Sequence, residues 1–212
     1  MPIYRLSEDE ISFPMPELAE EDGLLAVGGD LKLERLLLAY ENGIFPWYSH
    51  DEPILWWCPK ERYIIRPENI KVSKSMKRRL NKEDFQVTVN KDFEGVITNC
   101  KELREVKEGT WITEEMKEAY INLHKQGYAL SVEVWQEENL VGGIYGVCFD
   151  RLFFGESMFS KIPSGSKIAL IYLARFLEER NFKFIDCQFH TEHLESMGGE
   201  YISWEEYKEL LN

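Results

Sequence analysis

Long apolar runs, paired cysteines and glycine-rich phosphate loops are all missing from this 212-residue sequence. No stretch approaches the roughly 18 consecutive apolar residues of a membrane-spanning helix, and the N-terminus has no basic segment followed by an apolar run. The four cysteines stand far apart, so neither a disulfide framework nor a zinc site is indicated. We expect a soluble cytoplasmic protein that is not inserted in a membrane.

Positive charge is scarce except in one segment. The chain has 25 Lys and Arg against 38 Asp and Glu, a formal net charge of −13, which argues against a protein that coats nucleic acid. Residues 71–82 (KVSKSMKRRLNK) nevertheless contain only basic charges. This segment is either a solvated helix face or the place where an anion binds.

The predicted elements are of mixed type. A helix is expected from Asp30, as N-cap, to about Asn42, with Gly43 in the left-handed stop position. Later elements are a short basic helix capped by Ser73, a strand over 85–90, a helix from Thr113 to Gly127, strands over 129–136, 140–149 and 152–157, a helix over 164–180, the strand FKFIDCQ, and a helix-strand-helix tail with a Ser203–Glu206 capping box. The order predicts an α+β fold with a small N-terminal domain, 1–66, and a mixed-sheet domain, 67–212.

An isolated carboxylate interrupts an apolar segment at GESMFS, residues 155–160. Ordinary core or loop packing accounts for the neighbouring Ser157 and Phe159. Glu156 is harder to explain in this way, because burying a charge is costly without a cationic partner. We therefore treat Glu156 as a candidate functional residue.

Asp186 ends the strand FKFIDCQ, and Gln188 lies two residues further on. Strand alternation places both side chains on the same face. They form either a polar strand end that faces water or a pair that accepts hydrogen bonds from an amine and so orients a nucleophile.

Three further features have both a structural and a functional interpretation. His190 and His193 are one helical turn apart but lack a third metal ligand in sequence reach, so a pair on a helix surface is favoured. Trp47 and Trp111 lie outside the predicted helices and strands, where they either pack in the core or offer a flat face to a nucleic-acid base. Glycines 142, 143 and 146 inside a strand pattern indicate a bulge or the close approach of a ligand.

Several motifs occur in order along nearly the whole chain: FPMPELAEEDGLLAVGGDL, RLLLAYENGIFPWYS, PILWWCP, GTWITEEMKEAYINLH, LVGGIYGV, LFFGESMFS, IDCQ and TEHLESMGG. Together they resemble the leucyl/phenylalanyl-tRNA–protein transferase family. The resemblance implies transfer of Leu or Phe, and less readily Met, from aminoacyl-tRNA to the N-terminal Arg or Lys of an acceptor protein, which is then degraded. It also implies a GNAT-like (acyl-CoA N-acyltransferase-like) core, a monomer, and no metal or cofactor, since the ester arrives already activated.

The resemblance also suggests a role for individual residues. Trp47 and Trp111 match positions that hold the 3′-terminal adenosine, Asp186 and Gln188 match the catalytic pair, and Glu156 lies in the matching acidic site. The amino-acid side chain would enter a pocket lined by Ile144, Phe153, Met158, Leu173 and Ile185. Positions 144 and 173 often carry the larger Met and Phe in the family, so the preference between Leu and Phe is left open. With tRNA as donor, the phosphate contacts would be Lys74, Lys77, Arg78, Arg79 and Lys82.

The chemistry needs proximity and a neutral amine more than it needs a covalent intermediate, because aminolysis of an ester is downhill. We expect Asp186 to polarise and fix Gln188, whose carbonyl oxygen accepts a hydrogen bond from the attacking amine. Either Glu156 or Asp186 would bind the basic side chain of the acceptor.

Two alternative functions remain at this stage. One is an acyl-CoA-dependent N-acyltransferase, against which the missing glycine-rich pyrophosphate loop argues, and the other is a non-catalytic binder of N-terminal degrons.

Overall fold

The computed structural model describes residues 3–82, 84–105 and 111–211. The strands are β1 (Tyr4–Leu6), β2 (Leu24–Gly28), β3 (Phe45–Pro46), β4 (Leu55–Trp57), β5 (Glu61–Ile65), β6 (Gln86–Val89), β7 (Ala129–Gln136), β8 (Asn139–Phe149), β9 (Leu152–Ser160), β10 (Phe184–Asp186) and β11 (Glu200–Ser203). The helices are α1 (Leu33–Glu41), α2 (Lys74–Leu80), α3 (Phe93–Glu105), α4 (Glu114–Lys125), α5 (Gly165–Glu178), α6 (Glu192–Ser196) and α7 (Trp204–Leu211). The first two residues of the GTWIT motif, 109 and 110, lie outside the described residues.

The N-terminal elements form a small sheet in the order β1-β2-β4-β3, and α1 follows β2 along the chain. The end of α1 is as predicted, because Gly43 adopts a φ of +68°. The predicted N-cap is wrong: the helix starts after Lys32, and Asp30 accepts hydrogen bonds from the Lys32 N–H and from Arg35 Nε, each at 3.1 Å. Asp30 therefore orders the turn before α1 and holds the buried Arg35 guanidinium.

The second sheet has seven strands in the order β11-β5-β10-β9-β8-β7-β6. Its neighbouring strands are antiparallel except β9 and β10, which run parallel and are joined by α5. Successive residues alternate between two apolar clusters: Ile144 packs with α5, whereas Tyr145 packs with α3 and α4. Helices thus cover both faces, and the predicted α+β architecture of a small N-terminal sheet and a larger mixed sheet is confirmed.

Most predicted elements form, but the five strands β1 to β5 were not predicted. Ser73 and Thr113 cap their helices through the Met76 and Met116 N–H groups, as expected. Helix α3 was not predicted. The boundary near residue 66 leaves β5 on the N-terminal side, although β5 pairs with β10 and β11 in the larger sheet. The division into two domains stays a prediction.

Glycines allow α5 to lie directly on the sheet. A Cβ at Gly142 would stand 2.8–2.9 Å from backbone atoms of Gly165 in the first turn of α5. The close approach at this glycine is therefore that of a helix to a strand, and a side chain there would force the two apart.

The C-terminal tail has the predicted order of helix, strand and helix. Ser203 caps α7 by accepting from the Glu206 N–H at 3.2 Å, but Glu206 does not complete the capping box. Its carboxylate instead pairs with Arg66 Nη2 at 2.7 Å. Among the helices of the described residues, none is long and apolar enough to cross a membrane.

Candidate active site

A β-bulge in β9 sets the position of Glu156. Tyr145 of β8 pairs with Ser157, and the next residue, Gly146, pairs with Gly155, so Glu156 is the extra residue between the two pairs. The glycines of β8 indicated a bulge or the close approach of a ligand, and the structure has a bulge beside Gly146, with the extra residue in the neighbouring strand β9. A bulge turns a side chain out of the regular alternation of a strand, and here it presents the Glu156 carboxylate beside a cavity.

Two tyrosine hydroxyls hold the Glu156 carboxylate. Tyr40 of α1 donates to Oε1 at 2.7 Å, and Tyr120 of α4 donates to Oε2 at 2.9 Å. The described residues provide no cation within ion-pair distance of this carboxylate. Burial, which outweighs the two hydrogen bonds, raises the pKa of Glu156 from 4.5 to about 7. Glu156 is therefore an acidic group without charge compensation, open to a cationic ligand.

Asp186 has a different environment, because its charge is already compensated. Arg62 Nε lies 3.2 and 3.1 Å from the two carboxylate oxygens, and Arg62 Nη2 lies 2.8 Å from Oδ2. The Tyr207 hydroxyl donates to Oδ2 at 2.5 Å. Asp186 and Arg62 are both fully buried, and the guanidinium lies between the Phe45 and Tyr207 rings at 4.8 and 4.7 Å from their centroids.

The backbone connects Asp186 to Gln188. Asp186 Oδ1 accepts from the Gln188 N–H at 2.8 Å, and Gln188 adopts a φ of +58°, in the left-handed region. The strand ends at Asp186, so the predicted placement of both side chains on one strand face is wrong. Asp186 is buried, whereas Gln188 lines the cavity. A left-handed conformation costs a residue other than glycine about 1 kcal/mol, and the buried carboxylate helps to hold Gln188 in it.

The cavity beside Glu156 has a volume of about 450 Å³ and is lined mainly by apolar side chains. Of the predicted side-chain pocket, Ile144, Met158 and Ile185 line it. Phe153 and Leu173 do not, because both are fully buried in the core behind these residues. Leu170 and Leu194, which were not predicted, contribute to the wall instead.

Aromatic rings form the mouth of the cavity. Trp47 follows β3 and is 41% exposed, and its ring lies 5.5 Å from Phe189 and 5.7 Å from Trp57. Trp111 precedes α4. Both Trp47 and Trp111 also line a wider outer cavity of about 1350 Å³, so they stand where the two cavities meet. Both lie outside regular elements, as predicted, and both have cavity-facing surface that a flat ring could contact.

The basic segment forms α2. Lys74, Lys77, Arg78 and Lys82 are exposed, whereas Arg79 is half-buried, pairs with Asp84 and lies over the Phe85 ring. The chain just before α2 is tied to the end of α6, because the Lys71 N–H donates to Met197 O at 2.9 Å. Since α6 also contributes to the cavity wall, the basic helix is connected to the site by a short stretch of chain.

The two histidines do not form the expected helix-surface pair. His190 precedes α6, which begins at Glu192, and its Nε2 lies 3.1 Å from Glu195 Oε2. His193 lines the cavity, and its Nε2 is buried without a hydrogen-bond partner in the described part of the chain. Within those residues, no group of three His, Cys, Asp or Glu side chains is suited to a metal ion.

Several residues of the site were missed from the sequence. Tyr40, Tyr120, Arg62 and Tyr207 were not predicted as site residues. A tyrosine on an apolar face carries a hydroxyl that needs a partner when it is buried. That signal indicates a buried polar group somewhere, but it does not say which one.

Family models match nearly the whole chain. The model described as leucyl/phenylalanyl-tRNA protein transferase matches residues 64–212, and the model of the N-terminal domain of the same family matches residues 29–60. The leucyl/phenylalanyl-tRNA–protein transferase of Flavobacterium johnsoniae is 52% identical over 210 residues, 99% of each chain. That of Syntrophus aciditrophicus is 52% identical over 212 residues, 100% of this chain and 88% of the relative.

Similarity to solved structures is weaker. An aminoglycoside acetyltransferase from an uncultured soil metagenomic sample aligns with a TM-score of 0.41 at 14% identity, covering 53% of this chain and 81% of that one.

Proposed function

This chain belongs to the leucyl/phenylalanyl-tRNA–protein transferase family, and we propose that it transfers Leu or Phe, and less readily Met, from aminoacyl-tRNA to proteins that begin with Arg or Lys. Proteins tagged in this way would then be degraded. We also propose that it acts as a monomer in the cytoplasm, where charged tRNA is available.

One observation carries the proposal: an apolar cavity, an uncompensated carboxylate and two loop tryptophans meet at one place. The apolar wall suits the side chain of Leu or Phe. The rings at the mouth suit the terminal adenosine, since base stacking on an aromatic ring contributes about 1–3 kcal/mol. The carboxylate suits a cationic acceptor, so each part of the reaction has a matching surface.

Glu156 rather than Asp186 is the carboxylate proposed to bind the basic side chain of the acceptor. Arg62 and Tyr207 already occupy both oxygens of Asp186 in the core. Glu156 contacts neutral hydroxyls and lines the cavity. A guanidinium or ammonium ion would provide the counter-charge that the described residues do not provide there.

Gln188 is proposed to position the nucleophile. Its amide oxygen would accept a hydrogen bond from the acceptor α-amine while the amine lone pair attacks the ester carbonyl carbon. The new amide bond forms as the bond from that carbon to the 3′-oxygen breaks, and one proton passes from the nitrogen to the leaving oxygen. Asp186 is a positioning residue in this scheme, because it holds the Gln188 backbone and does not line the cavity.

The exposed cations of α2 are proposed to contact tRNA phosphates without reading sequence. Most of the remaining surface of a chain with net charge −13 repels RNA. The basic helix would therefore orient the tRNA so that its 3′ end reaches the aromatic mouth.

The test is transfer of radiolabelled Leu or Phe from charged tRNA to three peptides that differ only in their first residue: Arg, its neutral isostere citrulline, and Ala. We expect transfer to the Arg peptide alone, and Glu156→Gln should remove the preference for Arg over citrulline. Consumption of acetyl-CoA without transfer from tRNA would instead indicate an acyl-CoA enzyme. Binding of the Arg peptide without any transfer would indicate a degron-binding protein.

A further inference from the structure

Three oxygen-bearing groups from three elements contact one another: the hydroxyls of Tyr40 and Tyr120 and the carboxyl group of Glu156. Besides their bonds to the carboxylate, the hydroxyl oxygens of Tyr40 and Tyr120 lie 2.5 Å from each other. Both tyrosines are fully buried. The two hydroxyls and the carboxylate thus form a closed ring with three short contacts, which we call the Tyr–Tyr–Glu ring.

The ring has three contacts, but the two tyrosine hydroxyls carry only two protons. When Glu156 is ionised, each hydroxyl donates its proton to a carboxylate oxygen, so no proton remains for the contact between Tyr40 and Tyr120. A third proton, on the carboxyl group, completes the ring: Glu156 donates to Tyr40, Tyr40 donates to Tyr120, and Tyr120 donates to Glu156. The three observed contacts therefore fit the protonated carboxyl group better than the carboxylate.

The surroundings of the ring support the same assignment. Burial, the largest effect, and the negative charge of Asp186 raise the pKa of Glu156, whereas the hydrogen bonds from Tyr40 and Tyr120 and the charge of Arg62 lower it; burial prevails, and the result is about 7. Among the described residues, the titratable and charged groups around Glu156 are Tyr40 on α1, Arg104 on α3, Tyr120 on α4, Arg62 on β5, Tyr145 on β8 and Asp186 on β10, and His193 on α6 lines the same cavity. Arg62 is paired with Asp186, and Arg104 donates to Ser157.

We propose that the Tyr–Tyr–Glu ring holds one proton while the acceptor site is empty and releases it when the cationic side chain of an acceptor binds to Glu156. Tyr40 and Tyr120 are then positioning residues that set the charge of the acceptor site. This inference rests on the proposed role of Glu156 as the acceptor carboxylate. The step balances, because the O–H bond of the carboxyl group breaks, the proton passes to solvent, and the carboxylate pairs with the incoming cation.

Proton release can be measured with a ligand that cannot itself titrate. In the test peptide the N-terminal arginine lacks its α-amino group, so its guanidinium stays charged and no reaction occurs. Calorimetric titrations of the full chain in buffers of different ionisation enthalpy give the number of protons released per peptide bound. We expect about half a proton at pH 7, close to one at pH 5.5 and almost none at pH 8.5. Below pH 6 the affinity of the chain for the peptide should fall about tenfold for each pH unit of acidification.

Variants separate this inference from the proposed function. Glu156→Gln should bind the peptide more weakly and release no proton. If it does so while the wild-type chain also releases none, the ring is refuted and the acceptor role of Glu156 stands. If Glu156→Gln binds the peptide as tightly as wild type, the acceptor role of Glu156 fails. Infrared difference spectra of wild type against Glu156→Gln then show whether Glu156 in the ring holds a proton. A protonated carboxyl band that titrates near pH 7 supports the ring, and its absence refutes it.

The tyrosines have a matched control in the same core. Tyr145 packs against Tyr120 at 5.8 Å between ring centroids, but its hydroxyl has no hydrogen-bond partner in the described part of the chain. Tyr40→Phe and Tyr120→Phe should each move the midpoint of proton release by about half a pH unit or more, whereas Tyr145→Phe should leave it unchanged. Equal midpoints in all three variants would show that the hydroxyls do not control the proton.

Discussion

Replacing Asp186 with Asn should destabilise the fold more than any other single change in the site. The substitution leaves the Arg62 guanidinium fully buried without its counter-charge, since Asp186 is the acid that pairs with it. Breaking a buried ion pair by removing one partner costs about 3–5 kcal/mol, out of about 5–15 kcal/mol for a typical domain. Tyr207 and the Gln188 backbone would lose a charged acceptor in the same step.

Urea unfolding followed by circular dichroism measures this loss. With a slope of about 2–3 kcal/mol/M for a chain of this size, the midpoint of Asp186→Asn should fall by about 1–2 M. Adding Arg62→Met removes the stranded charge and should restore most of the stability. If Asp186 acts by holding Gln188, the stable double variant should still transfer at least about tenfold more slowly than wild type. An unfolding free energy of Asp186→Asn within about 1 kcal/mol of wild type would refute the reasoning.

Three other outcomes are expected. Trp47→Ala and Trp111→Ala should each raise the aminoacyl-tRNA concentration needed for half-maximal rate by about 5–100-fold, and unchanged kinetics would remove that ring from the site. Converting Lys77 and Arg78 to Gln should reduce the log–log salt dependence of tRNA binding by about 1.5, and an equal slope would place the tRNA elsewhere. Glu156→Gln should match wild type in unfolding free energy below pH 4.5 and exceed it by up to about 3 kcal/mol at pH 8. The reason is that folding raises the pKa of Glu156 to about 7, so the unfolding free energy of the wild-type protein falls as pH rises. Unfolding curves at both pH values check this.

Local signals in the sequence predict most elements correctly. Ser73, Thr113 and the alternating strands β7 to β9 carry their own capping or periodicity, and each forms as predicted. Helix α3 was missed although Asp92 caps it locally by accepting a hydrogen bond from the Gly95 N–H at 2.9 Å. The Lys91 and Asp92 N–H groups donate to the carboxylate of Glu133, which lies on β7 some forty residues later. Only this second contact depends on a distant residue, whereas the cap at Asp92 is a local signal that was overlooked.

The residues that belong to the site were predicted better than the way in which they are arranged. Glu156 stood out as a charge in an apolar segment, and the structure brings it to the cavity together with Trp47, Trp111 and Gln188. The partners of Asp186 could not be predicted, because Arg62 and Tyr207 come from β5 and α7, far away in sequence. Strand alternation also failed at Gln188, since a single left-handed residue ends the regular period.

The bulge at Glu156 makes the length of β9 a determinant of what the cavity can accept. Met158 lines the cavity, whereas its neighbour Phe159 is buried against the opposite face of the sheet. Deleting one residue at the bulge would restore the regular alternation and leave the pairings on both sides of it unchanged, so Met158 and Phe159 would keep their faces while the extra residue that carries the carboxylate would be lost. A one-residue gap at this point in an alignment of relatives would therefore mark a cavity that keeps its apolar wall and lacks the bulged carboxylate.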